Sequence, residues 1–317
     1  MRKGIGKSFL ALSFARGGGS LLSVLIFFLL ANAIGAGVVS DAFFMARRFT
    51  TALSASIERT TQLVLVPAIV GALAGARSGR PARSPFKEVT IGFALCCLFA
   101  LAIAQGAPLI VDVIAPGFEE ERHGLASHLL VILAGLLPLS MATSSAVSVL
   151  NAARWFALPE LATHLPRVAM ILVLMGLTTV RIDVLAWALL VGSALALAVL
   201  AVPAAGILAD LWRRRSAQPT EGSADEVTGG IGRRLGLTGI AQLQLQGTSW
   251  IDAAFASMIG IGALSMLEYA QRLVGLLPSL LSNSLLTVAY TELSATAGDD
   301  DQTRFRRNVV WTIRANL

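Results

Sequence analysis

The chain has 317 residues, 55% of them hydrophobic and 14% charged, with a mean hydropathy of +0.73. A soluble globular domain carries roughly 25% charged residues, so this much apolar surface calls for a bilayer rather than a soluble core. The net charge of +6 does not indicate nucleic-acid binding, because the cations lie in short loops between apolar runs rather than in one basic domain.

A membrane span needs roughly 20 predominantly apolar residues. Eight segments qualify, at about 9–34, 42–73, 89–115, 126–150, 161–180, 184–210, 235–260 and 263–291. The basic start from Met1 to Lys7 resembles the head of a signal peptide, but no short apolar core with a small-residue cleavage site follows, so the first segment reads as a retained helix. Arg16-Gly17-Gly18-Gly19 interrupts it, and such a glycine run gives either close packing or a bend at a cavity. The second segment opens at Asp41 and carries Arg47, Arg48, Glu58 and Arg59. Cys96 and Cys97, adjacent in the third, form neither a disulfide framework nor a spaced metal site and read as small packing residues. Glu119, Glu120 and Glu121 fall in a loop, where acids are solvated. His164 and Arg167 stand near the start of the fifth segment.

The polar stretch 212–234 reads as a flexible cytoplasmic linker. It divides a six-helix lobe, 1–211, from the start of a second lobe, 235–317. The seventh segment carries Gln242, Gln244, Gln246 and Asp252, for which interhelical hydrogen bonding and a gate or coupling-ion role both stand. The eighth carries Glu268 and Arg272. A further apolar run opens near Val309 and stops at Leu317, too short to cross, as in the front part of a longer protein. The fold expected is all-α: a polytopic helical membrane protein with two lobes, the second incomplete.

Loop charge sets the orientation. With the N-terminus cytoplasmic, sixteen of the 25 Lys and Arg fall in inside segments and two, Arg122 and Arg181, in outside loops. The other seven lie inside apolar segments, where each ionisable group costs at least ~2.5 kcal/mol and ordinarily lines a pathway or cavity.

Four motifs occur in a distinctive order: Ile34-Gly35-Ala36-Gly37 with Ser40-Asp41-Ala42-Phe43-Phe44; Val113-Ile114-Ala115-Pro116-Gly117-Phe118; Asn151-Ala152-Ala153-Arg154-Trp155-Phe156-Ala157-Leu158-Pro159; and Tyr269-Ala270-Gln271-Arg272-Leu273 with Pro278. Together they resemble the MurJ/MviN family of the multidrug/oligosaccharidyl-lipid/polysaccharide exporter superfamily. The resemblance implies two pseudo-symmetric helix bundles around a central cavity, working by alternating access in a bacterial inner membrane. It implies as cargo an undecaprenyl-diphosphate-linked glycan, lipid II, flipped between leaflets without covalent chemistry. A coupling ion or the membrane potential would reset the cycle, and no cofactor is implied.

The resemblance makes Arg272 a cavity arginine, with Gln271 standing where the family usually has an acid; a local pair with Glu268, four residues earlier on the same helix face, is the plainer reading. Asp41 matches an acid at the outer end of the second helix. It is either a first-turn acid complementing its own helix or a gate residue pairing with a cation of the opposite lobe. Arg48 aligns with a family cation, and of the adjacent Arg47 and Arg48 at most one can face the cavity squarely. Glu58 with Arg59 reads as a local pair or a cavity acid, and Arg167 as a snorkelling or a cargo-contacting cation. Arg16 with Gly19 keeps the family's first-helix spacing, but a second arginine is missing there, and Ser54 and Ala55 stand where the second helix usually carries an arginine pair. These departures favour a second reading, a flippase for another lipid-linked saccharide, and leave open a membrane scaffold. A drug antiporter would not need these motifs, and an enzyme is disfavoured because the chain has no HExxH and no Ser/His/Asp arrangement.

Overall fold

The computed structural model describes residue 19 and residues 22–78, 86–176, 181–216 and 228–275, and every described element is a helix or a turn. In chain order the helices are α1 (Leu22–Ile34), α2 (Val38–Ser78), α3 (Phe86–Gln105), α4 (Ala107–Ile114), α5 (Glu120–Ala134), α6 (Leu136–Ala152), α7 (Ala157–Ala162), α8 (Leu165–Gly176), α9 (Ile182–Ser216), α10 (Thr228–Ile259) and α11 (263–275). Helix runs through the described residues of all eight apolar segments, with a break inside the third, fourth and fifth.

Those breaks have local causes. The expected single span 89–115 is instead two helices bent by 75° at Gly106. Pro108, in the first turn of α4, has no N–H to give the preceding turn, and its ring would strike the carbonyl four residues back. Gly135 separates α5 from α6, with Pro138 following, and Pro166 opens α8. The acids Glu120 and Glu121 occupy the first turn of α5, where they complement the helix dipole. At the end of α6, Trp155 N–H donates to Leu150 O and Arg154 N–H to Asn151 O, a Schellman closure with Arg154 at φ 67. Helix also intrudes on the expected linker at both ends, since α9 runs to Ser216 and α10 starts at Thr228. Arg213, in the last turn of α9, suits the negative end of a helix, so α9 does not stop where the apolar run stops.

Helix α2, 41 residues long, is the central element. At 1.5 Å per residue it measures about 60 Å, roughly twice a ~30 Å hydrocarbon core, so it projects beyond the bilayer. It packs along α5 and α6 on one side and α10 on the other, while α9 closes the bundle against α6 and α8. The main core gathers Leu30, Phe43, Phe44, Leu129, Leu133 and Met170. The outside is apolar as well: Phe28, Leu109, Val113, Met175 and Val202 are 71–77% exposed. A soluble protein would not leave such a surface in water. Among the described residues, Glu120–Ala152, Ala157–Gly176 and Ile182–Asp210 are long and apolar enough to cross a membrane, with the bent pair Val89–Gln105 and Ala107–Ile114 as a fourth.

Candidate functional site: an arginine cleft closed at one end

Three turns meet at one end of the bundle, those joining α1 to α2, α4 to α5 and α10 to α11. Asp41, in the first turn of α2, is wholly buried there. Its carboxylate accepts hydrogen bonds from Gly262 N–H at 2.6 Å, Ser265 N–H at 2.8 Å and Ser265 Oγ at 2.5 Å. Asp41 therefore caps α11 rather than its own helix, placing a negative charge against that helix's positive end. Gly262 has φ +86, a left-handed conformation that frees its N–H for this bond, and it lies against the Ala36 backbone. Tyr269 Oη adds a hydrogen bond to Gly35 O at 3.0 Å.

The cation beside Asp41 is Arg122 of α5, 3.7 Å away and 3% exposed. It was expected to be an ordinary outside-loop cation, and Asp41's cationic partner was expected from the opposite lobe. Arg122 donates to Gly117 O at 3.1 Å and to Gly260 O at 3.4 Å, and its guanidinium lies 5.0 Å from the Phe118 ring centroid. Gly117 N–H donates to Ser257 Oγ at 3.2 Å, and a β-carbon at Gly117 would stand 2.3 Å from Ser257 O. The Ala-Pro-Gly-Phe turn is thus pressed directly onto the end of α10.

Below this closure a cavity of about 390 Å³ lies between α2, α10 and α11, lined by Arg47, Arg48, Gln246, Ser249, Glu268 and Arg272 among others. Arg48 spans it. Its Nη1 lies 2.8 Å from Glu268 Oε1, as a charge contact rather than an aligned hydrogen bond. Its Nε donates to Ser249 Oγ at 2.7 Å and its Nη2 to Gln271 Oε1 at 3.2 Å, with Asp252 Oδ2 at 3.7 Å. Gln271 Nε2 in turn donates to Asp252 at 3.4 Å. The close partner of Glu268 is accordingly Arg48 on α2, not the Arg272 that helical spacing suggested.

Arg47 and Arg48 both line this cavity, where at most one of the two was expected to face it squarely. Arg47 and Arg272 hold their guanidinium groups 5.2 and 4.8 Å from the Phe27 ring centroid. Phe27 stacks on Phe44, and Tyr269 meets both rings edge-on. Glu58 and Arg167 line a second cavity that also reaches Arg47, whereas Arg59 is exposed. Arg167 Nη1 lies 2.7 Å from His164 Nδ1, and any side chain at Gly19 would strike the His164 ring, so that end of the glycine run packs closely. Arg16 lies outside the described residues. Among the described residues no cluster of three or more His, Cys, Asp or Glu could hold a metal ion.

The arrangement is chemically suited to an anion. Three arginine forks converge on one polar cleft, and guanidinium groups match phosphate oxygens in pairs. One of them, Arg48, also ties α2 to α10 and α11.

A family model described as lipid II flippase MurJ matches residues 30–317. The probable lipid II flippase MurJ of Buchnera aphidicola subsp. Schizaphis graminum is 23% identical over 298 residues, covering 91% of this chain and 56% of that protein. The lipid II flippase MurJ of Burkholderia cenocepacia is 28% identical over 306 residues, covering 91% of this chain and 57% of that protein. A solved structure, "Lipid II flippase MurJ, inward closed conformation", superposes with a TM-score of 0.66 at 19% identity, covering 92% of this chain and 60% of that one. The chain spans rather more than half the length of these relatives. With the fold shared and the family match running from α1 onward, this chain belongs to the MurJ lipid II flippase family.

Proposed function

We propose that the protein flips an undecaprenyl-diphosphate-linked peptidoglycan precursor, lipid II, across the bacterial inner membrane by alternating access, as a transporter and not an enzyme. The observation that carries this is the cleft where Arg47, Arg48 and Arg272 meet between α2, α10 and α11, with Glu268 holding Arg48. A diphosphate entering the cleft competes with Glu268 and Asp252 for Arg48 and so loosens the tie between the two lobes. The loop charge supports a cytoplasmic N-terminus, and on that orientation the Asp41 closure is the outer gate. The cleft then faces inward, the side on which the precursor is made. Arg16 would add a further cation, and the membrane potential or a coupling ion at Asp252 would reset the cycle. Growth of a host depleted of its own lipid II flippase tests this: rescue by this chain supports the reading, and failure with the protein stably inserted counts against it.

A further inference from the structure

The second cavity, about 320 Å³, lies inside the first bundle between α2, α6, α8 and α9. It shares Arg47, Thr51 and Ala55 with the arginine cleft, so the two are adjoining chambers. Its volume is at the small end of the roughly 300–1,000 Å³ typical of ligand pockets. Its wall differs in kind from that of the cleft: it is largely apolar, and the hydroxyls of Ser54, Ser140, Thr143, Ser144 and Ser193 with the carboxylate of Glu58 supply its polar part. Ser144 spends its proton on Met141 O and Ser193 on Leu189 O, which leaves oxygen lone pairs as acceptors. Ser54 is 7% exposed and its Oγ has no hydrogen-bond partner. A buried hydroxyl without a partner calls for a polar occupant.

The charges narrow what that occupant is. Glu58 repels an anion, and Arg47 and Arg167 at the same wall repel a bare cation. A neutral group rich in hydroxyl and amide donors fits both: it donates to the carboxylate and the serine oxygens, and it accepts from the guanidinium groups. We propose that this cavity is a sugar subsite, holding the first hexosamine of the cargo while its diphosphate sits in the adjoining arginine cleft. The inference rests on the lipid-diphosphate reading of that cleft.

The test measures the affinity of the purified chain for two probes, undecaprenyl diphosphate and the same lipid bearing one N-acetylglucosamine. Wild type should bind the sugar-bearing probe more tightly. The double variant Ser140→Ala/Thr143→Val, and separately the cavity-filling Thr143→Phe, should weaken the sugar-bearing probe roughly tenfold, the scale of one or two lost hydrogen bonds, and leave the bare diphosphate unchanged. Equal wild-type affinity for both probes, or equal loss for both in the variants, would overturn the sugar subsite and leave the diphosphate reading standing. No wild-type binding of either probe would overturn the diphosphate reading and the subsite with it. Because the wild-type comparison is decisive alone, a variant that fails to fold does not rescue the proposal.

Discussion

Arg48 on α2 and Glu268 on α11 meet at 2.8 Å, and each side chain is only 10% exposed. A buried pair of this kind contributes modest net stability while intact, because both charges have lost their water. Breaking it from one side leaves a buried charge and costs about 3–5 kcal/mol. Arg48→Ala or Glu268→Ala alone should therefore lower the unfolding midpoint clearly. The double variant should recover part of the loss, as a thermal-melt cycle on the four proteins would record. Additive losses would mean that the two residues do not act as a pair.

Asp41 holds the N-terminal end of α11 through three hydrogen bonds. Asp41→Asn removes the charge that faces the helix dipole and leaves Arg122 buried beside a neutral group. The closure should open more often. With Cys96 and Cys97 replaced by alanine, a cysteine at Ser257 should react faster with a membrane-impermeant thiol reagent in the Asp41→Asn background than in its absence. Equal rates would show that Asp41 does not hold this end shut.

Phe27 carries two guanidinium groups on its ring. Each cation–π contact is worth about 0.5–2 kcal/mol, depending on how dry the site is. Phe27→Leu keeps the apolar bulk and removes the π-face, so it should weaken binding of undecaprenyl diphosphate several-fold with little change in melting temperature. Phe27→Trp should retain binding. Equal weakening by both variants would assign Phe27 to packing alone.

Gly117→Ala should destabilise the protein by about 1–3 kcal/mol, the usual cost of overpacking, because the added carbon meets the Ser257 backbone at 2.3 Å. Gly206→Ala, in open space on α9, should be neutral or slightly stabilising. Melting curves of the two variants compare them directly, and similar midpoints would contradict the close approach of the α4–α5 turn to α10.

Much of the fold was legible in the sequence because a bilayer demands long apolar runs, and helix runs through the described residues of each of them. The bend at Gly106 was also written there, in a proline two residues later, but the apolar run hid it by continuing through the break. The site was only half legible. Arg47, Arg48, Glu268 and Arg272 stood out as charges at membrane depth. Their pairing did not, since helical spacing offers Arg272 to Glu268 and cannot reveal Arg48, which tertiary packing brings in from α2. Arg122 was missed for the same reason: it follows three acids in what reads as a loop, and only the convergence of three turns buries it. Ser265 carried no signal in the sequence, since the acid that its backbone N–H and hydroxyl meet, Asp41, comes from a distant turn.

The central claim is that the arginine cleft carries a lipid diphosphate to the outer leaflet. Exposure of lipid II to a probe added outside the cell measures that directly, in a host whose own flippase has been withdrawn and replaced by this chain or by its Arg272→Glu variant. The account predicts exposure with the unaltered chain and its loss with Arg272→Glu at equal protein levels. Exposure that is absent with both proteins, or unchanged by the charge reversal, would contradict it.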